Sequence, residues 1–136
     1  MRSENWPEIL AAELKKAAKK TFAWGSHDCC LFAADVAYAM TGEDYASEFR
    51  GHYSTSIGAA MALKKYGAGS IKATLTTKLG EPLPPMQAGR GDFVLADAGQ
   101  GDTVGICCGP QAAFVSINGG LLYLPMAAWI CAWRIV

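Results

Sequence analysis

The chain has 136 residues, 51% of them apolar and 18% charged: enough apolar material for one core of ordinary domain size, with a charge content that leaves surface for a partner. Lys plus Arg equals Asp plus Glu at 12 each, so no net field draws nucleic acid or an anionic membrane surface. No window reaches the roughly 18 apolar residues of a membrane span, and Met1–Trp6 leads into no apolar run, so neither a span nor a signal peptide is expected.

In chain order, Asn5–Lys20 reads as an amphipathic helix. Trp6, Ile9, Leu10, Leu14 and Ala17 recur at helical spacing, Lys15, Lys16, Lys19 and Lys20 lie on the solvated face, and Asn5 is the expected cap. Thr21–Asp28 breaks the pattern. Cys29–Met40 is apolar nearly all round, which predicts a buried central helix with Asp28 as its N-cap and Gly42 as its stop. A third helix is expected from a Ser54 or Ser56 cap to Tyr66, and a weaker fourth over Ser70–Leu79. Glu81-Pro82-Leu83-Pro84-Pro85 excludes regular structure. The period then changes to short apolar runs: Asp92–Ala96, Thr103–Cys108, Ala112–Ile117, Leu121–Leu124 and Ile130–Ile135. Helices first and strands second predict an α+β fold in one domain, residues 1–136, with N-terminal helices packed on a C-terminal antiparallel meander of about five strands. The segment 97–102 reads as a hairpin turn, since its aspartates lack the ligand order of a calcium loop.

The densest chemical signal is Phe22-Ala23-Trp24-Gly25-Ser26-His27-Asp28-Cys29-Cys30-Leu31-Phe32. A cysteine in the first turn of a buried helix sits near roughly half a positive charge, which favours thiolate. Core filling by small thiols is the competing reading of Cys29 and Cys30, and of Cys107, Cys108 and Cys131. Five cysteines cannot all pair within the chain, and reduced thiols are the default without an export signal. A metal or redox cluster of these cysteines is a third reading, weakened because adjacent pairs chelate poorly; no cofactor motif is present. Trp24, Trp129 and Trp133 read as core or interface residues.

These motifs resemble the NlpC-type branch of the papain-like cysteine peptidases. Trp24-Gly25 followed by Asp28-Cys29-Cys30-Leu31, then Gly91-Asp92-Phe93-Val94, then Thr103-Val104-Gly105-Ile106, reproduce that family's order of motifs from about Phe22 to Ile117. The resemblance implies a papain-like fold with Cys29 as nucleophile, Thr103 at the position of the family histidine and Ser116 at the third, orienting position. Threonine offers no basic form near neutral pH. Of the two histidines, His27 lies two residues before the thiol and His52 lies in an inter-helix loop; each is a weak candidate base.

Ala132-Trp133-Arg134-Ile135 and Gly119-Gly120-Leu121 are similar to small degenerate NlpC-like proteins of bacteriophage tail regions. That similarity implies a virion tail-tip component, assembled in the host cytoplasm beside other tail-tip proteins. It would act as an assembly or docking module without the Cys–His pair. The alternative is an active cell-wall cysteine peptidase that cuts peptidoglycan cross-links in phage entry. Its base would be His27, His52 or a group from a partner chain.

Overall fold

The computed structural model describes residues 1–97, 99 and 101–136. Four α-helices precede the sheet: α1 (Trp6–Ala17), α2 (Cys29–Thr41), α3 (Ser56–Tyr66) and α4 (Ile71–Leu79). The strands are β1 (Phe93–Asp97), β2 (Asp102–Cys107), β3 (Gln111–Val115), β4 (Leu121–Pro125) and β5 (Trp129–Trp133). The α+β class and the antiparallel five-stranded sheet agree with the sequence pattern. Of the hairpin expected at 97–102, Ala98 and Gln100 lie outside the described residues. The Asp97 carboxylate accepts from Gly99 N–H at 2.8 Å.

Helix ends differ from expectation where capping chemistry was ambiguous. Asn5 makes no side-chain cap, and α1 ends at Ala17 rather than running through Lys20. Thr55, not Ser54 or Ser56, caps α3 by accepting from Gly58 N–H, and Ser70 caps α4 from outside it. The α2 bounds fall close to those read from sequence, because Asp28 caps its start and Gly42, at φ +81°, closes it in the left-handed region.

The sheet order is β4-β3-β2-β1-β5, so the last strand returns beside β1 instead of extending the meander. Leu83, in the stretch expected to be irregular, pairs with Ala132 and covers the outer side of β5. A proline-rich segment can do this because Leu83 supplies the N–H that its proline neighbours lack. One sheet face packs on α1 and α2 through Phe32, Val36, Leu95, Ile106 and Trp133. The other buries Val94, Cys107, Phe114, Trp129 and Ala132 in a second cluster. Alternation thus sends Cys107 away from the helices, while Cys108 packs against the helical cluster. Trp129 and Trp133 are both buried, which makes them core residues.

A buried ion pair joins the two ends of the chain. Asp92, 2% exposed, accepts from Arg2 Nη2 at 2.9 Å, Gly89 N–H at 2.9 Å and Ile135 N–H at 3.0 Å. Arg2 also donates to the Ile135 and Arg90 carbonyls, and its guanidinium lies 4.4 Å from the Trp6 ring centroid. The Gly91-Asp92 motif is therefore a clamp: Gly91 has φ +88°, and a Cβ there would lie 3.0 Å from the Arg2 guanidinium. Removing one member of a buried pair strands the other charge. We expect Asp92→Ala to lower unfolding free energy by about 3 kcal/mol, read from urea midpoints at unchanged m-value.

Candidate active site

The site is built on the turn that enters α2. Ala23 and His27 form an isolated antiparallel bridge, which folds Trp24–Ser26 into a tight loop. Gly25 is required twice over: its φ is +83°, and a Cβ there would lie 2.1 Å from the Tyr53 carbonyl oxygen. Asp28 is buried at 1% exposure and accepts three hydrogen bonds. Leu31 N–H reaches Oδ1 at 3.0 Å, while Gly25 N–H at 3.0 Å and the Tyr53 hydroxyl at 2.6 Å reach Oδ2. The carboxylate thus fixes the first turn of α2, the glycine loop and the segment before α3 at once.

Cys29 follows as the first helical residue, half-buried, with its sulfur 3.8 Å from that of Cys30. The Cys30 thiol lowers the Cys29 pKa most; burial opposes it, and the Thr103 hydroxyl and Val104 N–H lower it further, to about 7. The neighbouring Asp28 charge pushes the other way and is outweighed. Cys30 is raised well above its ordinary value by the same contact and by burial, so the pair keeps its proton on Cys30 and its charge on Cys29. The Tyr53 phenol is also pushed far up, first by burial and then by donating to Asp28, so it remains a donor at ordinary pH. Cys29 N–H and Cys30 N–H, the first two of the helix, have no hydrogen-bond acceptor among the described residues.

Thr103 lies in β2, close enough to Cys29 for its hydroxyl to favour the thiolate. It pairs with Ala96 of β1, but the β2–β3 ladder contains only Ile106↔Ala113 and Cys107↔Ala112. At Gly105 the strands cross so closely that a Cβ would lie 2.3 Å from the Ala113 carbonyl oxygen and 2.6 Å from the Phe114 ring. Glycine in Val104-Gly105-Ile106 is thus a requirement of the crossing.

The other sequence candidates lie elsewhere. The His27 ring is buried at 6% exposure, packs edge-on against Phe32 at 6.2 Å, and has neither nitrogen hydrogen-bonded. Its pKa is lowered by burial and then by Lys20, and no thiol figures among the groups that move it. His52 is exposed and pairs through Nδ1 with the Tyr66 hydroxyl at 3.1 Å. Ser116 accepts from Asn118 N–H at 3.2 Å within the turn after β3. Among the described residues no three His, Cys, Asp or Glu side chains converge as a metal site.

Beside the thiols lies a partly open cavity of about 310 Å³, lined by residues of α2, α3, α4, β1 and β2. Its walls are mostly apolar, with Phe49, Leu63, Ile71, Leu75 and Phe93 among them, and Cys29 and Cys30 both line it. Sequence reasoning missed this space and missed Tyr53. Both depend on how α3 and α4 fold back over α2, which no local pattern encodes.

The profile of a domain of unknown function, DUF6950, matches residues 1–135. The chain belongs to that family. No curated protein matches it. In this DUF6950 domain the turn, the cap and the thiol are consecutive in sequence, and the family profile covers the whole of the site just described. No helix among its described residues is long and apolar enough to cross a membrane.

Two outcomes follow from the charges around α2. Thr103→Val removes a donor that favours thiolate, so the Cys29 pKa should rise and alkylation at neutral pH should slow; the midpoint of a pH–alkylation curve measures it. His27 has its folded pKa below the ordinary 6.5, so its contribution to stability is present above about that pH and is lost as pH falls through the folded value. We expect His27→Phe to flatten the loss of stability between neutral and mildly acidic pH, measured by urea midpoints at both ends of that range.

Proposed function

We propose that this chain is a papain-like, NlpC-type scaffold that lacks the Cys–His pair and works as an assembly or docking module of a bacteriophage tail tip. The observation that carries this reading is the residue beside the thiol. Thr103, a hydroxyl without a basic form, stands against Cys29, and neither imidazole of the chain is hydrogen-bonded to it. General-base assistance contributes about two to four powers of ten in rate, so amide cleavage without it is feeble. The surface is consistent with docking. No charged residue occurs between Asp102 and Arg134, and Leu122, Tyr123, Met126 and Ile130 of that stretch are exposed. The partners in this reading are other tail-tip proteins, and the location is the virion tail after assembly in the host cytoplasm.

A second reading, an active cell-wall cysteine peptidase, is favoured by one feature: the Cys29 pKa near 7. Its nucleophile would be Cys29, its oxyanion donors the free N–H groups of the first turn, and its base a group supplied by another chain. Incubation with peptidoglycan stem peptides, beside Cys29→Ala, separates the two. We expect no cysteine-dependent cleavage by the isolated chain or by the assembled tail tip; cleavage that disappears in Cys29→Ala would replace the docking reading with the peptidase.

A further inference from the structure

We propose that Cys29 is an acyl acceptor, and that the apolar cavity beside it holds an aliphatic acyl chain delivered as a thioester. Three features lead there. The thiol stands at the first turn of α2, in the lining of the cavity, with the Cys30 sulfur 3.8 Å away. Next to it is a space of about 310 Å³, at the small end of ligand pockets, whose walls are mostly apolar, Phe49, Leu63, Ile71, Leu75 and Phe93 among them, with Asp28, Lys78 and Asp102 also lining it. And among the described residues no imidazole is hydrogen-bonded to the sulfur: His27 is packed against Phe32 and His52 pairs with Tyr66.

That last feature selects the electrophile. An amide nitrogen leaves only after protonation, so it needs a general acid. A thioester sulfur leaves as thiolate, with an ordinary pKa near 8.5, and needs none. In the step, the Cys29 sulfur bonds to the carbonyl carbon, and the oxyanion is received by the unpartnered Cys29 and Cys30 N–H groups. The carbon–sulfur bond of the donor then breaks, and its electron pair departs on the donor thiolate, which takes a proton from water. The product is an S-acyl Cys29 with its chain in the cavity. Water attack on it would again need a base, so the adduct persists and the reaction is stoichiometric. The inference shares with the docking reading only the missing imidazole.

The test is exposure of the full chain at neutral pH to S-octanoyl-N-acetylcysteamine and, separately, to its S-acetyl analogue, followed by intact mass and peptide mapping. We expect one hydroxylamine-sensitive acyl group, on Cys29, formed about tenfold or more faster from the octanoyl donor, because a buried chain adds binding that an acetyl group lacks. Cys29→Ser should remove the label. Ala59→Trp, which fills the cavity from its α3 wall, should collapse the octanoyl preference, with far-ultraviolet circular dichroism showing that both variants fold. Label spread over several cysteines, equal rates for the two donors, or a preference that survives Ala59→Trp would each overturn the inference. None of these results bears on stem-peptide cleavage, so the two proposals fail separately.

Discussion

The whole arrangement depends on one buried carboxylate. Asp28 receives N–H groups from the loop before it and the helix after it, and a hydroxyl from the segment leading to α3. An N-cap alone contributes about 1 kcal/mol, and each hydrogen bond to a charged acceptor about 1.5–3 kcal/mol, so this one side chain fixes three backbone segments at a strength no nearby apolar contact matches. Its position next to Cys29 is unfavourable for a thiolate, since like charges repel. The thiol pKa is nevertheless depressed, which means that the donors around it outweigh the field of the carboxylate. Geometry is what Asp28 supplies; the electrostatic help comes from Cys30, Thr103 and Val104.

A second carboxylate, Asp92, holds the sheet in the same way. It joins residues at both ends of the chain to the start of β1, and the Arg2 guanidinium closes the contact. The conspicuous acidic motifs of the sequence, Asp28-Cys29 and Gly91-Asp92, therefore both have structural reasons to exist. So do the glycines beside them, where Gly25 and Gly105 admit backbone approaches that any side chain would block. Such residues can therefore recur for reasons of folding alone, whatever stands opposite the thiol. Likeness in motif order is thus compatible with a change in chemistry.

How far the sequence could be read follows the range of the forces involved. The α2 bounds, the Asp28 cap, the Gly42 stop and the α+β order were legible, since each rests on contacts within a few residues. Thr55 was missed as the α3 cap because three hydroxyls crowd that start and only the backbone angles choose among them. The place of β5 beside β1, and the pairing of Leu83 with Ala132, rest on contacts across some fifty residues or between strands of equal apolar character. The place of Cys29 at the first turn of an apolar helix was legible from the Asp28 cap beside it. The Tyr53 hydroxyl and the cavity were not, since both arise from helices folding over α2 in three dimensions.

Proton accounting decides what such a site can do. The charge of the thiol pair rests on Cys29 and its proton on Cys30, whose pKa is too high to exchange near neutrality. Tyr53 is pushed still further from neutrality by its contact with Asp28. The one imidazole near α2 is buried against Phe32, away from any hydrogen-bond partner, and burial favours its neutral form. Burial and hydrogen bonding therefore keep the Cys30 thiol and the Tyr53 phenol protonated, and the group that titrates near neutrality is Cys29 itself, at about 7. Such a centre can present a nucleophile and hold what it captures. On the docking reading proposed above, binding or stoichiometric capture suits such a centre, and turnover on an amide would call for a base brought by something else.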